Sequence, residues 1–274
     1  GNLKVNASDD VTLQNTGNDV AKLAASITSA GKSFKYTDAN TLAIDQVAQA
    51  GSSAVALGVP SGTGATQALM NGITTLGGSG GSVVVNTLST GTLDVNQAIS
   101  TVPTGTGTTV GGSVVLESNG AITTAAAGTI TTTGQASAAG LGGVGGEVFI
   151  HHTNLTTTAG DITLGGTVTA NGGSAAVGGT TGGNGGVVTL WNERGGIVVN
   201  AALSANGGAA GSGVQGNGGT VQLVSTGTAV ASTITQGGSG QITATGATGG
   251  NLKVNASDDV TLQNTGNDVA KLAA

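Results

Sequence analysis

Short runs of alternating hydrophobic and polar residues recur along the chain, and many of them follow a pair of glycines. Six such runs begin at glycine pairs that start at Gly80, Gly111, Gly145, Gly185, Gly218 and Gly249. Their start-to-start spacing is 31 to 40 residues, and a repeat of this length is typical of a solenoid or a propeller. Alternation with a period of two predicts strands with one buried face.

Each repeat holds two further strand-like runs. One follows a glycine, as at Gly91 and Gly160, and the other contains an aliphatic residue such as Ile130 or Val168. Three short strands per repeat predict one coil of a parallel β-helix, whereas a propeller blade requires four strands and its own signature. We therefore predict an all-β fold, a right-handed parallel β-helix with three strands per coil and about seven coils per unit.

Alternation also predicts which side chains point inward. In the glycine-pair strands the inward positions are all aliphatic: Val83, Val85, Val114, Leu116, Val148, Ile150, Val188, Leu190, Val221, Leu223, Leu252 and Val254. The second strands are predicted to bury Leu93, Val95, Ile122, Ile162, Leu164, Ile197, Val199, Val11 and Leu13. The third strands are predicted to bury Ile27, Ile99, Ile130, Val168, Leu203 and Ile242.

The chain contains one unbroken repeat at a longer distance. Residues 1–25 recur unchanged as residues 250–274, an offset of 249. We interpret residues 1–249 as one complete solenoid unit and residues 250–274 as the start of the next identical unit in a tandem array. The coil after Gly31 is longer than the others, and we predict an inserted loop over residues 51–70; two short coils are the alternative.

The composition bears on two classes of function, nucleic-acid binding and membrane spanning. The chain has 53 glycines, no cysteine, 7% charged residues and a net charge of −6. Its seven basic residues form no patch, so nothing supports nucleic-acid binding. No run reaches the ~18 apolar residues of a membrane span. Glycines are expected at the corners, where a positive φ or a close approach of two backbones is required.

Several phrases resemble a known family. NLKVNASDDVTLQNTGNDVAKLAASI from Asn2, KSFKYTDANTLAIDQV from Lys32, NGITTLGGSGGSVVVNT from Asn71 and the sequence Gly160–Leu164 are similar to the repeat region of filamentous-haemagglutinin-type exoproteins. The resemblance covers essentially the whole chain. It implies a rod-like right-handed β-helix, secreted through an outer-membrane partner and used for adhesion, aggregation or biofilm matrix.

One cluster of unusual side chains is predicted on the outer face of the glycine-pair strands. Glu117, His151 and Trp191 should lie on successive coils, with Phe149 two residues before His151, and with His152, Glu193 and Arg194 nearby. An exposed aromatic ring beside polar groups can stack on a sugar, so a glycan or ligand patch is one interpretation. Packing of bulky side chains against a loop or a neighbouring fibre is the other.

Other chemistry has little support in the sequence. Asp9–Asp10 and their copies Asp258–Asp259 are predicted at turns, and no acidic pair has the partners that polysaccharide cleavage requires. We predict no catalytic residues, no metal site and no cofactor. Threonine runs 131–133, 156–158 and 167–169 could form flat rows, as on ice-binding solenoids, but threonine is also a common strand residue.

These observations favour a structural or adhesive extracellular fibre segment of a giant bacterial surface protein. The expected partners are the neighbouring identical units of the same fibre, and possible partners are host or cell-surface glycans. A carbohydrate-binding or carbohydrate-cleaving β-helix is the alternative, followed by an ice-binding solenoid.

Overall fold

The computed structural model describes residues 1–48, 69–78, 81–105, 107–138, 140–153, 159–176, 181–227 and 232–274. Every regular element in these ranges is a β-strand. Nearly all of these strands belong to two long sheets whose strands pair in parallel.

The front sheet contains all six glycine-pair strands. Its nine strands are β2 (Val11–Leu13), β4 (Phe34–Asp38), β9 (Ser82–Thr87), β12 (Ser113–Ser118), β15 (Glu147–His152), β18 (Val187–Asn192), β21 (Thr220–Ser225), β24 (Asn251–Ala256) and β26 (Lys271–Ala273). They pair in this order, and corresponding residues of the repeats lie side by side.

The back sheet consists of two parallel rows. The β5 row contains β5 (Leu42–Ile44), β10 (Leu93–Val95), β13 (Ile122–Thr124), β16 (Ile162–Leu164), β19 (Ile197–Val199), β22 (Ile234–Gln236) and β25 (Val260–Thr261). The β8 row contains β8 (Ile73–Leu76), β11 (Ile99–Ser100), β14 (Ile130–Thr131), β17 (Val168–Thr169), β20 (Leu203–Ser204) and β23 (Ile242–Thr243). The long strand β3 (Lys22–Ala30) pairs with β5 and with β8 and so joins the rows, and β1 (Asn2–Ala7) pairs with β3.

The chain visits the front sheet, the β5 row and the β8 row in turn, for example through β12, β13 and β14 before it returns to β15. The all-β class and the long parallel sheets are therefore confirmed, and they are consistent with a β-solenoid. An interior strand makes its ladder hydrogen bonds with two neighbours, and each neighbour supplies about half of them.

The core lies between the two sheets and consists of aliphatic columns. The twelve inward positions of the glycine-pair strands are 0% to 7% exposed, and Leu252 and Val254 are the least covered of them. The residues predicted to be inward in the β5 row and the β8 row, from Leu93 to Ile242, are also buried. Burial of each such side chain contributes about 1.5–3 kcal/mol, repeated at every level of the stack.

The first copy of the repeated segment does not lie where the sequence pattern places it. Val11 and Leu13 were predicted as buried second-strand residues, but β2 belongs to the front sheet, and Leu13 is 37% exposed. This prediction is wrong because it assigned the strand by its order after Gly1, whereas β2 pairs with β4 through Val11↔Phe34 and Leu13↔Tyr36. Phe34 and Tyr36 themselves are buried in the core.

More of the described glycines are required by close packing of backbone against backbone than by a positive φ angle. Among the described residues, positive φ occurs only at Gly31, Gly72, Gly78 and Gly105. Elsewhere backbone rests directly on backbone: Gly173 N–H donates to Gly143 O at 2.7 Å, and a Cβ on Gly173 would lie 1.9 Å from the carbonyl oxygen of Gln135. We call the stacked segments around Gly143, Gly173 and Gly183 the glycine-rich limbs. At these three glycines a Cβ would overlap backbone atoms, so no larger residue fits.

The predicted insertion lies mostly outside the described residues, which omit positions 49–68. At its two ends, β6 (Gln46–Val47) and β7 (Met70–Asn71) pair antiparallel, through Gln46↔Asn71 and Val47↔Met70. The preceding strand β5 and the following strand β8 lie in consecutive rows of the back sheet.

Candidate functional site

The outer face of the front sheet brings the predicted aromatic cluster together. Glu117 in β12 pairs with His151 in β15, and His151 pairs with Trp191 in β18. Because alternate residues of a strand point to the same face, Phe149 projects beside His151. The three strands thus place these four side chains on neighbouring positions, about 4.8 Å apart from strand to strand.

The three rings contact one another. His151 stacks on Trp191 with ring centroids 4.7 Å apart, and Phe149 meets Trp191 edge-on at 6.4 Å and His151 at 5.4 Å. Offset-stacked and edge-to-face arrangements of this kind are favourable. Trp191 remains 36% exposed, so the cluster presents an indole ring to solvent with two rings beside it for support.

Two carboxylates flank the imidazole. His151 Nε2 lies 3.1 Å from Glu193 Oε1, and His151 Nδ1 lies 3.5 Å from Glu117 Oε1. The side chain of His151 is 12% exposed, against 21% for Glu193 and 36% for Glu117. A neutral imidazole has one N–H and can donate to one carboxylate only, whereas an imidazolium donates to both. The shorter contact identifies Glu193 as the stronger partner.

The turn that carries Glu193 is fixed from the inner side of the front sheet by Asn192. The Asn192 amide donates to Gly160 O at 2.9 Å and to Gly196 O at 2.8 Å, and its Oδ1 accepts the main-chain N–H of Arg194 at 2.9 Å. These bonds hold the turn after β18 closed. Asn192 is fully buried, so the outer cluster rests on an inner polar support.

His152 belongs to this inner support and not to the outer cluster. It is fully buried, and its Nδ1 lies 2.9 Å from Asn192 Oδ1. Since Asn192 Oδ1 can only accept, Nδ1 carries the hydrogen. Burial lowers the pKa of His152 below its usual value, although hydrogen bonds with Asn192 and with the backbone of Asn119 oppose the change. His152 was expected near the patch, but alternation from His151 turns it inward.

Arg194 follows Glu193 in the same turn. Its main chain is held by Asn192, and its Nε is buried without a hydrogen-bond partner in the described structure. The sequence analysis grouped Arg194 with the patch, and in the structure Arg194 is partly buried in the turn after β18.

The sequence analysis missed that the inner support continues through the front sheet. In five of the six glycine-pair strands the last inward position is polar and buried, in the order Thr87, Ser118, His152, Asn192 and Ser225. Thr87 Oγ1 donates to Ser118 Oγ at 2.7 Å, and Ser225 Oγ donates to Gly195 O at 2.7 Å. The signal was present, because five of the six glycine-pair runs end in a polar residue in phase with their aliphatic positions.

The arrangement does not suit metal binding or glycoside cleavage. Glu117 and Glu193 contact opposite nitrogens of one ring, so the three groups do not converge on one point, and no cluster that could hold a metal ion occurs among the described residues. Glycoside cleavage requires substrate or water between two carboxyl groups, and here the imidazole of His151 fills that space.

The Asp pair at positions 9 and 10 has a structural environment. Lys32 Nζ lies 2.6 Å from Asp9 and 3.3 Å from Asp10, and Asp10 Oδ1 accepts the N–H of Ser33 at 2.7 Å. The hydrogen bond from Lys32 lowers the pKa of Asp9. These contacts fasten the turn between β1 and β2 to the chain just before β4.

Hydroxyl side chains form one continuous row on the outside of the back sheet. Corresponding positions pair in the order Ser26, Thr74, Ser100, Thr131, Thr169, Ser204 and Thr243. The row is longer than the sequence suggested, but part of it is occupied: Ser204 Oγ donates to Asn171 Oδ1 at 2.6 Å, and Asn206 Nδ2 donates to Thr243 Oγ1 at 3.1 Å. Residues 156–158 lie outside the described residues.

In the part of the chain that the structure describes, no helix has the length and hydropathy needed to cross a membrane. No protein-family model, curated protein or solved structure matches the chain. What this chain does must therefore be argued from its own geometry.

Proposed function

We propose that this chain is a segment of an extracellular structural and adhesive fibre on a bacterial cell surface, of the filamentous-haemagglutinin type. In this proposal it is a right-handed β-solenoid with three strands per coil and about seven coils per 249-residue unit. Its length is its main function, because it holds binding surfaces away from the cell and stacks unit upon unit.

The pairing of the second copy of the repeated segment carries this proposal. Asn251–Ala256 pairs with Thr220–Ser225 in parallel over all six residues. This pairing supports an array in which the start of one unit extends the front sheet of the unit before it. The inward residues Leu252 and Val254 become buried by this contact, at 4% and 7% exposure. A unit that ends in such a template supports continuous growth of one stack.

The aromatic cluster is the candidate adhesive surface of the fibre. Its exposed indole, supported by His151 and flanked by two carboxylates, supports stacking on a sugar ring whose hydroxyls donate to Glu117 or Glu193. The alternative is a contact with a neighbouring fibre, for which the same exposed ring also suits. A glycan-cleaving enzyme is less well supported because His151 separates the two carboxylates.

Two experiments test the proposal. Proteins of one, two and three consecutive units are imaged by negative-stain microscopy, and we expect rods that lengthen by a constant step of roughly 34 Å, seven strand spacings, per unit. Compact particles, or lengths that do not increase with unit number, contradict the fibre.

The adhesive role is tested with Trp191→Ala, measured on a glycan array and on cells. Val84→Ala is the matched control, since Val84 lies on the same outer face two strands away from His151. Loss of binding in Trp191→Ala alone supports the patch, whereas equal binding by both variants removes it. Release of reducing sugar from polysaccharides by the parent protein would favour the enzyme instead.

A further inference from the structure

The two identical copies of the repeated segment lie in different sheets. In the first copy, Asn2–Ala7 pairs with β3, which leads into both rows of the back sheet. In the second copy, the same six residues, Asn251–Ala256, pair with β21 of the front sheet. One sequence therefore occupies two positions around the solenoid.

The local structure inside the two copies is nevertheless the same. Asn2 pairs with Lys22 and Leu3 with Leu23, and in the second copy Asn251 pairs with Lys271 and Leu252 with Leu272. The register is identical. The two copies differ only in the strands outside the segment with which they pair. The second copy shows how the segment contacts the unit before it, and the first copy shows how it contacts the rest of its own unit.

The next strand of the segment shows the same exchange. Val11–Leu13 pairs with β4 and lies in the front sheet, whereas its copy Val260–Thr261 pairs with β22 and lies in the β5 row of the back sheet. Both strands of the segment thus move by one face in the same sense. Two independent pairings agree, which a frayed chain end would not produce.

From these pairings we propose that the repeated segment is a two-sided joint that turns each unit of the fibre by one face relative to the unit before it. The front sheet of one unit continues into the back sheet of the next, and the β5 row continues into the next front sheet. This inference rests on the tandem array of the proposed function, and its partner is a second unit of this same sequence.

The joint uses no strand edge twice. β24 pairs on one side with β21 and on the other with β26, whose counterpart β3 carries the back sheet of its own unit. β25 pairs on one side with β22. Its counterpart in the first copy, β2, pairs with the strand that begins at Phe34, so the free edge of β25 is expected to pair with the second unit's copy of that strand. Each strand of the joint therefore has one partner in the preceding unit and one in its own unit.

The turn of one face changes how the fibre presents its surfaces. Within one unit, Glu117, His151 and Trp191 all face the same side. In successive units that side rotates, so equivalent clusters point in different directions around the axis. A fibre of this kind meets partners on every side, whereas an unturned array would carry all its clusters along one line.

Disulfide mapping in a protein of two consecutive units tests the joint. The native sequence has no cysteine, so introduced pairs are unambiguous. The first pair joins Asn255→Cys to a cysteine at the second unit's counterpart of Ser26, because Asn6 pairs with Ser26. The second joins Thr261→Cys to a cysteine at the second unit's counterpart of Lys35, because Thr12 pairs with Lys35. Neighbouring strands lie within disulfide reach.

Two further pairs serve as controls. Val224→Cys with Asn255→Cys should cross-link when the start of the second unit stacks on the front sheet of the first. Ala273, which pairs with Lys253 and so lies at the outer edge of the front sheet, supplies the straight-through pair: Ala273→Cys with the second unit's counterpart of Lys35 would cross-link only if the front sheet ran straight through the joint. We expect near-complete disulfide formation in the two test pairs and background levels in the straight-through pair.

The outcomes separate this inference from the fibre itself. Cross-linking of the straight-through pair, or failure of both test pairs while the Val224–Asn255 control forms, overturns the turn of one face but leaves a stacked rod intact. Failure of the control pair together with compact particles in the microscope overturns the fibre.

Discussion

Close packing of the glycine-rich limbs predicts that substitution of Gly173 by alanine destabilises the fold. The N–H of Gly173 donates to Gly143 O at 2.7 Å and its carbonyl oxygen accepts Gly183 N–H at 2.9 Å, so Gly173 lies in the middle of a backbone-to-backbone stack. In Gly173→Ala the new Cβ would lie 1.9 Å from the carbonyl oxygen of Gln135 and 2.5 Å from its carbon. These neighbours are backbone atoms, so no side-chain rotation relieves the overlap.

The magnitude follows from what must move. The overlap requires the two limbs to separate by about 1 Å or more, which lengthens both hydrogen bonds of Gly173 beyond good geometry. Each of these bonds contributes about 1 kcal/mol, and lost close packing adds to this, so we expect a cost of about 2–4 kcal/mol. At Gly238, where a Cβ meets nothing within 4 Å, the same substitution should be neutral or stabilise the fold by up to about 1 kcal/mol.

Hydrogen exchange with mass spectrometry is the suitable assay, because a stack of repeats opens locally and need not unfold in two states. Gly173→Ala should lose protection in the limbs around Gln135, Gly143 and Gly183, while strands near β4 keep theirs. Equal protection in Gly173→Ala and Gly238→Ala would refute the close backbone packing on which this reasoning rests.

Three further predictions concern the front sheet. Ile150→Ala should cost about 2–5 kcal/mol in local opening free energy, whereas Val115→Ala on the outer face should cost far less; equal losses would mean that the strand faces are assigned wrongly. His152 has a lowered pKa in the folded protein, so as the pH falls the unfolded chain binds a proton at a higher pH than the folded chain does. The contribution of neutral His152 to stability should therefore be complete above about pH 6.5 and should decrease as the pH drops from there towards the folded pKa. His152→Gln should remove that part of the pH dependence, as measured by denaturation at several pH values, and an unchanged profile would contradict it. Asn192→Ala removes the amide hydrogen bonds to Gly160 O and Gly196 O and the acceptor of the Arg194 N–H, so it should cost about 1–3 kcal/mol and change Trp191 fluorescence. An unaltered spectrum would show that the inner support does not order the cluster.

The aliphatic columns were predictable because one rule governs them at every level. Alternation from a glycine pair gives Val114 and Leu116 inward, and the same count applied to the next repeat gives Val148 and Ile150. The same rule, carried one step further along the strand, also identifies Ser118 and His152 as inward. That step was missed because polar residues were expected outside, although hydrogen bonds such as that between His152 Nδ1 and Asn192 Oδ1 hold the inward ones.

The outer cluster was only partly predictable. Equal strand phase brings Glu117, His151 and Trp191 into one row, and sequence alone gives that row. The position of Glu193 depends on the turn after β18, and the turn is set by bonds from Asn192 to Gly160 and Gly196. Those partners are about 30 residues apart in sequence or lie across the turn, so no local pattern reveals them.

The placement of the repeated segment could not be predicted from its sequence at all, since two identical stretches take different sheets. Parallel pairing uses backbone groups, which every residue except proline supplies alike, and therefore an exposed strand edge accepts any strand of the right length and phase. Leu252 and Val254 become buried because β21 lies beneath them, whereas their copies Leu3 and Val5, which pair only with β3 among the described strands, stay partly exposed. The strands of the preceding coil, and not the sequence of the segment itself, determine which sheet the segment joins. A unit can for this reason be copied without change and still be turned by the unit before it, as the proposed joint requires.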